Sequence, residues 1–199
     1  MTGMAAERLE KQLDFMMAVE PLKRVERRSP VIDAGRRENS AEHSWHVALF
    51  AWLTAEHANA PVDPAKVIAM LLLHDIGEVD AGDVMIYDTA ARAAHEDAQR
   101  QGVERLAALL PDDQRDRVLA LWEEFEAGES TEARFAKAMD RLQPMLLNYR
   151  SQGASWAEHG IRADQVRTAN APIERGSTTL WARARRLIDD AVAKGFLKT

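Results

Sequence analysis

Apolar positions along this chain fall three and four residues apart almost throughout, and no stretch alternates convincingly between apolar and polar. β-branched runs are scarce, so the pattern predicts an all-α protein. A first helix fits residues 4–20, ended or bent by Pro21. RRSPVIDAGRREN then reads as a polar connection. Ser40 fits as the N-cap of a long helix reaching His57. In that helix His43, Val47, Phe50, Thr54 and His57 share one stripe, while Trp45, Leu49 and Trp52 fill another. A helix apolar on most sides is expected at the centre of a bundle. Asp63-Pro64 supplies an N-cap and N1 pair for the next helix, which runs through VIAMLLLHDI and weakens at Gly77. A polar loop with Gly82 and Asp83 follows. Further helices fit residues 90–110, 112–127, 131–150 and 174–195, with 151–173 a mixture of loop and short helix. GEST at 128–131 breaks two helices but leaves each too short of partners to stand alone. One domain over 1–199 is therefore expected, with a core at about 9–150 and the helices of 151–199 packed on it.

Composition narrows what such a bundle could do. With 199 residues and a formal charge of -6, the chain is acidic, which argues against a nonspecific grip on nucleic acid polymers or anionic membrane. There is no cysteine, so disulfides, thiolate catalysis and thiolate metal sites are excluded. Any metal must be held by His, Asp, Glu or water. No window approaches 18 apolar residues and the opening stretch lacks the apolar run of a secretory signal, so the expected location is cytoplasmic.

Against that ordinary background, LLLHDIGEVDAGD at 71–83 stands out. On a continued helix Leu71, His74, Asp75 and Glu78 would share one stripe, with an imidazole and two carboxylates at its end. A carboxylate taken out of water needs a positive partner, and a divalent cation is one. The plain alternative is a helix terminus with a satisfied histidine and a solvated acidic loop. Three other features weigh against it: His43 and His46 at the start of a buried helix, Glu78 and Asp83 on either side of a glycine turn, and Asp140 among alanines and leucines. For Asp140 a salt bridge to Arg141 or Arg134 is the simpler account. Pro144 gives the Asp140 carbonyl no N–H, so a kink is expected there. His95-Glu96 has no second histidine at metal-site spacing and is expected to be exposed. WEEFE at 122–126 reads as a helix that buries Trp122 and Phe125 and leaves its glutamates in water.

Taken together, ENSAEHSWHV, LLLHDIGEVDAGD and LPDDQRDRVLALWEEFEAGESTEARFAKAMDRLQ resemble the HD-domain phosphohydrolases, and within them the 5′-deoxynucleotidase group. The resemblance covers roughly residues 9–150 and implies a single HD-domain helical bundle. It further implies one divalent metal ion, Mn, Co, Fe, Ni or Zn, held by His43, His74, Asp75 and Asp140. Glu78 and Asp83 become the acid/base pair, and Arg28, fifteen residues before His43, with Arg27 as its near rival, becomes the phosphate ligand. Relatives carry a tryptophan after this arginine where Ser29-Pro30-Val31 stands here, which leaves the choice between deoxyribose and ribose open. The implied activity is removal of the 5′-phosphate from a nucleoside monophosphate by a homodimer. The alternatives are an HD enzyme acting on a triphosphate, cyclic nucleotide or other phosphate ester, a metal- or nucleotide-sensing module without turnover, and a helical adaptor. Exposure of Trp156 or Trp181 would point to a dimer face.

Overall fold

A computed structural model describes residues 3–199, the side chains of residues 3, 89 and 92–94 excepted. The chain is mainly helical, as the periodicity predicts. Helix α1 (Gly3–Ala18) leads into a 3-10 turn at Glu20–Arg24 that holds Pro21 near its start. A short hairpin follows: β1 (Glu26–Pro30) pairs antiparallel with β2 (Arg37–Asn39), Glu26 opposite Asn39 and Pro30 opposite Arg37. The polar connection expected over RRSPVIDAGRREN therefore contains a hairpin. The alternation that builds β1 is carried by charged and hydroxyl side chains, with Arg27 and Ser29 turned inward and Glu26 and Arg28 outward. An apolar pattern search is blind to it.

Helix α2 (Ser40–Thr54) is capped by Asn39, not by Ser40. The Asn39 side chain accepts from the Glu42 N–H and the Glu42 carboxylate accepts from the Asn39 N–H, a complete capping box. That frees the Ser40 hydroxyl for the site described below. Helix α3 (Pro64–Leu73) starts as expected, with the Asp63 carboxylate accepting from the N–H groups of Ala65 and Lys66. It stops at Leu73, however. Residues 74–77 form tight turns, and a four-residue helix α4 (Glu78–Ala81) follows, so the stripe expected on one helix is divided between two.

The remaining elements are α5 (Thr89–Ala107), α6 (Asp112–Ala127), α7 (Thr131–Arg150), α8 (Ala154–Glu158), α9 (Ala163–Asn170), α10 (Ile173–Gly176) and α11 (Thr178–Ala193). Helix α7 is the central post and runs through Pro144 without a break. Its Phe135, Ala136 and Met139 are wholly buried in one apolar cluster with Val47 and Ala51 of α2, Val67, Met70 and Leu71 of α3, and Ala184 and Ile188 of α11. A second cluster joins Phe15, Leu22, Ile76, Val103, Leu106 and Trp122. Helices α4 and α5 approach so closely that a Cβ on Gly102 would lie 2.7 Å from the Gly77 carbonyl oxygen.

Two placements differ from the pattern. Trp156 and Trp181 are buried, so neither marks a dimer face. The second stripe of α2 faces mostly outward instead: Trp45 and Trp52 are 62% and 60% exposed, Leu49 is half-buried, and Leu53 beside them is 63% exposed. At the other end of the chain, residues 196–198 fold back over α8 and α9. The Ala163 N–H donates to the Lys198 carbonyl at 2.8 Å, Leu197 is buried, and Gly153 (φ 77°) lies against the Phe196 carbonyl.

Candidate active site

The cap of α2, the end of α3 and the middle of α7 meet at one point. The His43, His74 and Asp75 side chains each offer a ligand atom there, all within 4.8 Å of one another. Asp140 joins them: its Oδ1 lies 3.0 Å from His43 Nε2 and 3.5 Å from His74 Nε2. Arg134, one of the salt-bridge partners weighed for Asp140, pairs with Glu129 at 2.9 Å instead. Asp75 Oδ2 is 3.2 Å from His74 Nε2 and 3.9 Å from His43 Nε2.

Each imidazole is oriented from behind. His74 Nδ1 donates to the Leu71 carbonyl at 2.8 Å, and His43 Nδ1 donates to Gln143 Oε1 at 3.0 Å. Gln143 is itself held by Nε2 donating to Glu38 Oε1 at 2.7 Å and to His46 Nδ1 at 3.0 Å. With both Nδ1 atoms donating backward, both Nε2 atoms face the carboxylates, each able to hold a proton or, in its place, a metal ion, the arrangement by which outer hydrogen bonds prepare histidines as metal ligands. His74 Nε2 is buried without a hydrogen-bond partner. A lone pair aimed at carboxylates is repelled unless a positive charge lies between them, so the donor set fits a divalent cation.

Electrostatics tell the same story. Burial alone would pull the His74 pKa down, but Asp75 and Asp140 outweigh it and hold it well above the ordinary histidine value. His43 is raised against burial and Arg27 by Asp140 and Glu38. Burial would raise Asp75, yet His74 and Arg27 bring it down to about 2, and Asp140 is lowered by both histidines despite its burial. The four side chains form a nest that calls for positive charge.

Around this nest lies one cavity that reaches Arg27, Arg28, Glu78 and Asp83. Burial, followed by the Asp75 charge, pushes the Glu78 carboxyl up to about 9. Its Oε2 accepts a 2.5 Å hydrogen bond from the Ser40 hydroxyl. Burial raises Asp83 as well, against the pull of Arg27. The Arg27 Nη1 lies 2.6 Å from Asp75, 3.4 Å from Asp83 and 3.8 Å from Glu78. Burial works against its charge, but these carboxylates raise its pKa further. Arg28 also lines the cavity, with its residue mostly exposed on the outward side of β1. Every residue expected at the site is therefore in or on this cavity, or buried against it.

Sequence reasoning overlooked Ser40, Glu38 and Gln143. Gln143 lies one turn after Asp140, a spacing that places both on one face, but nothing in the sequence pairs it with Glu38. His95, expected to be exposed, is half-buried, contacts the Gly82 carbonyl at 2.8 Å and lines the cavity. Trp122 and Phe125 are buried as expected, and Phe125 packs on the His74 ring with centroids 5.1 Å apart.

A helical bundle that gathers two histidines and two aspartates in this way is a metal-binding architecture of a defined class. The profile of the HD domain matches residues 19–181, and the chain belongs to the HD domain family. The 5′-deoxynucleotidase HDDC2 of Bos taurus is 31% identical over 148 residues, covering 73% of this chain and 69% of that protein. Among solved structures, a predicted metal-dependent phosphohydrolase from Magnetospirillum magnetotacticum MS-1 superposes with a TM-score of 0.91 at 44% identity, covering 97% of this chain and all of that one (100%). An HD-domain phosphohydrolase from Listeria innocua shares the fold, with a TM-score of 0.67 at 16% identity over 93% of this chain and 91% of its own.

Proposed function

We propose that this protein is a metal-dependent phosphohydrolase that removes the 5′-phosphate from deoxynucleoside monophosphates. The observation that carries the reading is the convergence of His43, His74, Asp75 and Asp140, with Glu78, Asp83 and Arg27 gathered at the same cavity. The four ligands would hold one divalent ion, which supplies Lewis-acid polarisation of a phosphate and lowers the pKa of water. Glu78, oriented by Ser40 and buried beside the ligands, takes the proton from the attacking water once it is ionised. Asp83 assists the leaving oxygen. Arg27 is better placed than Arg28 to meet the phosphate, because its guanidinium already lies among the carboxylates and a planar fork suits phosphate oxygens.

The same reading takes residues 1–199 as one domain of a cytoplasmic homodimer that binds a small nucleotide and neither nucleic acid polymers nor membrane. Among the described residues no helix is long and apolar enough to cross a membrane. A partner copy would cover the outward stripe of Trp45, Trp52 and Leu53. The decisive experiment measures metal content and phosphate release on one preparation, with deoxy- and ribonucleoside monophosphates, triphosphates and cyclic nucleotides under added Mn or Co. Release from deoxynucleoside monophosphates ahead of the rest is expected. A metal-loaded protein that frees no phosphate from any of them overturns the activity.

A further inference from the structure

The cavity continues well beyond the charged cluster. Along α7 its wall passes from Asp140 through Pro144 to Asn148, eight residues and about 12 Å of helix. At that far end it meets Ser155 of α8, Asn170 of α9 and Tyr87, all uncharged polar groups. The nearby Arg141 also lines the cavity, and its guanidinium donates to the Ala169 carbonyl at 2.5 Å.

Two of these groups have unused hydrogen-bonding capacity. Asn148 and Ser155 are only 6% and 4% exposed, yet Asn148 Oδ1 and Ser155 Oγ have no partner in the protein. The Asn148 amide orientation is fixed chemically: Nδ2 donates to the Pro144 carbonyl at 3.1 Å, and only an N–H can do so. Oδ1 is therefore the free end, an acceptor. Ser155 is brought alongside by the tight link between α7 and α8, where the Gly153 N–H donates to the Asn148 carbonyl at 2.8 Å. Its hydroxyl can donate or accept. Buried polar atoms are costly to leave unmatched, and when they line a ligand cavity they are the groups that set orientation.

An acceptor and a hydroxyl on two residues that line the same end of the cavity, about two helical turns from Asp140, complement a group that carries both N–H and an acceptor. The edge of a nucleobase has that chemistry, and every common base offers it. We infer that Asn148 and Ser155 form the base-recognition end of the site, Asn148 Oδ1 accepting from a base N–H and Ser155 Oγ bonding the adjacent acceptor. The arrangement tells a nucleotide from a smaller phosphate ester without choosing strongly among bases. The inference deepens the proposed hydrolase reading and takes its phosphate end from it.

The test is binding to the metal-loaded full chain by calorimetry, using deoxyadenosine, thymidine, 2-deoxyribose and inorganic phosphate as separate probes. The variants are Ser155→Ala and Asn148→Leu, each checked for unchanged circular dichroism. Nucleoside affinity should fall at least tenfold in each variant, with phosphate affinity unchanged and no comparable loss for the sugar. The inference is overturned if nucleosides bind all three proteins alike or fail to bind the wild type. It is also overturned if the phosphate affinity falls in parallel, or if the sugar alone reproduces the loss. Nucleoside binding needs no turnover. Intact, variant-sensitive binding without phosphate release would sink the hydrolase and leave the subsite, and the reverse would sink the subsite alone.

Discussion

At the scale of single residues, Glu78 is a buried carboxyl and Asp140 a half-buried one at the same cavity, and their contacts differ. Asp140 contacts both imidazoles, whereas Glu78 faces Ser40. Asp140→Asn keeps the shape and removes the charge, so metal content should drop to background and activity with it, as elemental analysis would show. Glu78→Gln should retain the metal and lose at least about 100-fold in kcat, the range expected for a general base. A Glu78→Gln protein that turns over deoxynucleotides at the native rate refutes its role. The two arginines separate in the same way. Arg27→Ala should raise KM for a nucleoside monophosphate about tenfold or more, while Arg28→Ala, on the outer side of β1, should change it less than threefold, magnitudes in keeping with one charge-assisted contact. Steady-state kinetics that reverse this order return the role to Arg28. Spacing alone puts Arg28 first, because which arginine turns inward depends on a strand register that no apolar alternation announces.

At the scale of elements, the helices were legible because their buried faces repeat at helical spacing, and α2, α3, α6 and α7 occupy nearly the expected ranges. The candidate metal ligands were legible through the resemblance of HD and its satellite motifs to a known family, since periodicity alone left a satisfied histidine and a salt-bridged aspartate as open readings. Two things were hidden. Apolar spacing reports that a helix has an apolar stripe but not what covers it, so the Trp45 stripe was placed inside when it faces out. The relay from Glu38 through Gln143 to His43 joins residues about a hundred positions apart, and only the tertiary fold brings them together. The crossing of α4 and α5 offers a direct test at this scale. Gly102→Ala would drive a Cβ against the Gly77 backbone, which cannot yield as a flexible side chain does. We expect a loss of about 1–3 kcal/mol in denaturant unfolding, the usual cost of overpacking. Glu78 follows Gly77 directly, so kcat should fall as well, and a fully stable, fully active variant would show that the crossing is looser than described.

For the whole molecule, the metal nest ties α2, α3 and α7 together, three elements that also share the main apolar cluster. Ligand binding to the folded state alone adds about 2.7 kcal/mol at a hundredfold excess over Kd, which for a chain of this size is about 5 °C or more in Tm. Chelation should lower Tm by that much and replenishment should restore it, as differential scanning calorimetry can follow. An unchanged Tm in protein shown to have lost its ion would mean that the nest contributes nothing to cohesion. The outward stripe of α2 belongs to this scale as well. Light scattering should find a dimer, and Trp45→Ser with Trp52→Ser should shift it to monomer without unfolding; a wild-type monomer would refute the pairing.

The returning segment of residues 196–198 has a practical side. It packs against the starts of α8 and α9, the helices that carry Ser155 and Asn170, while the histidines and aspartates are anchored on other elements. A protease cut or a bulky affinity tag at that clasp acts on the part of the pocket farthest from the ion. Preparations that differ only there could load metal identically and still disagree about which nucleosides they accept.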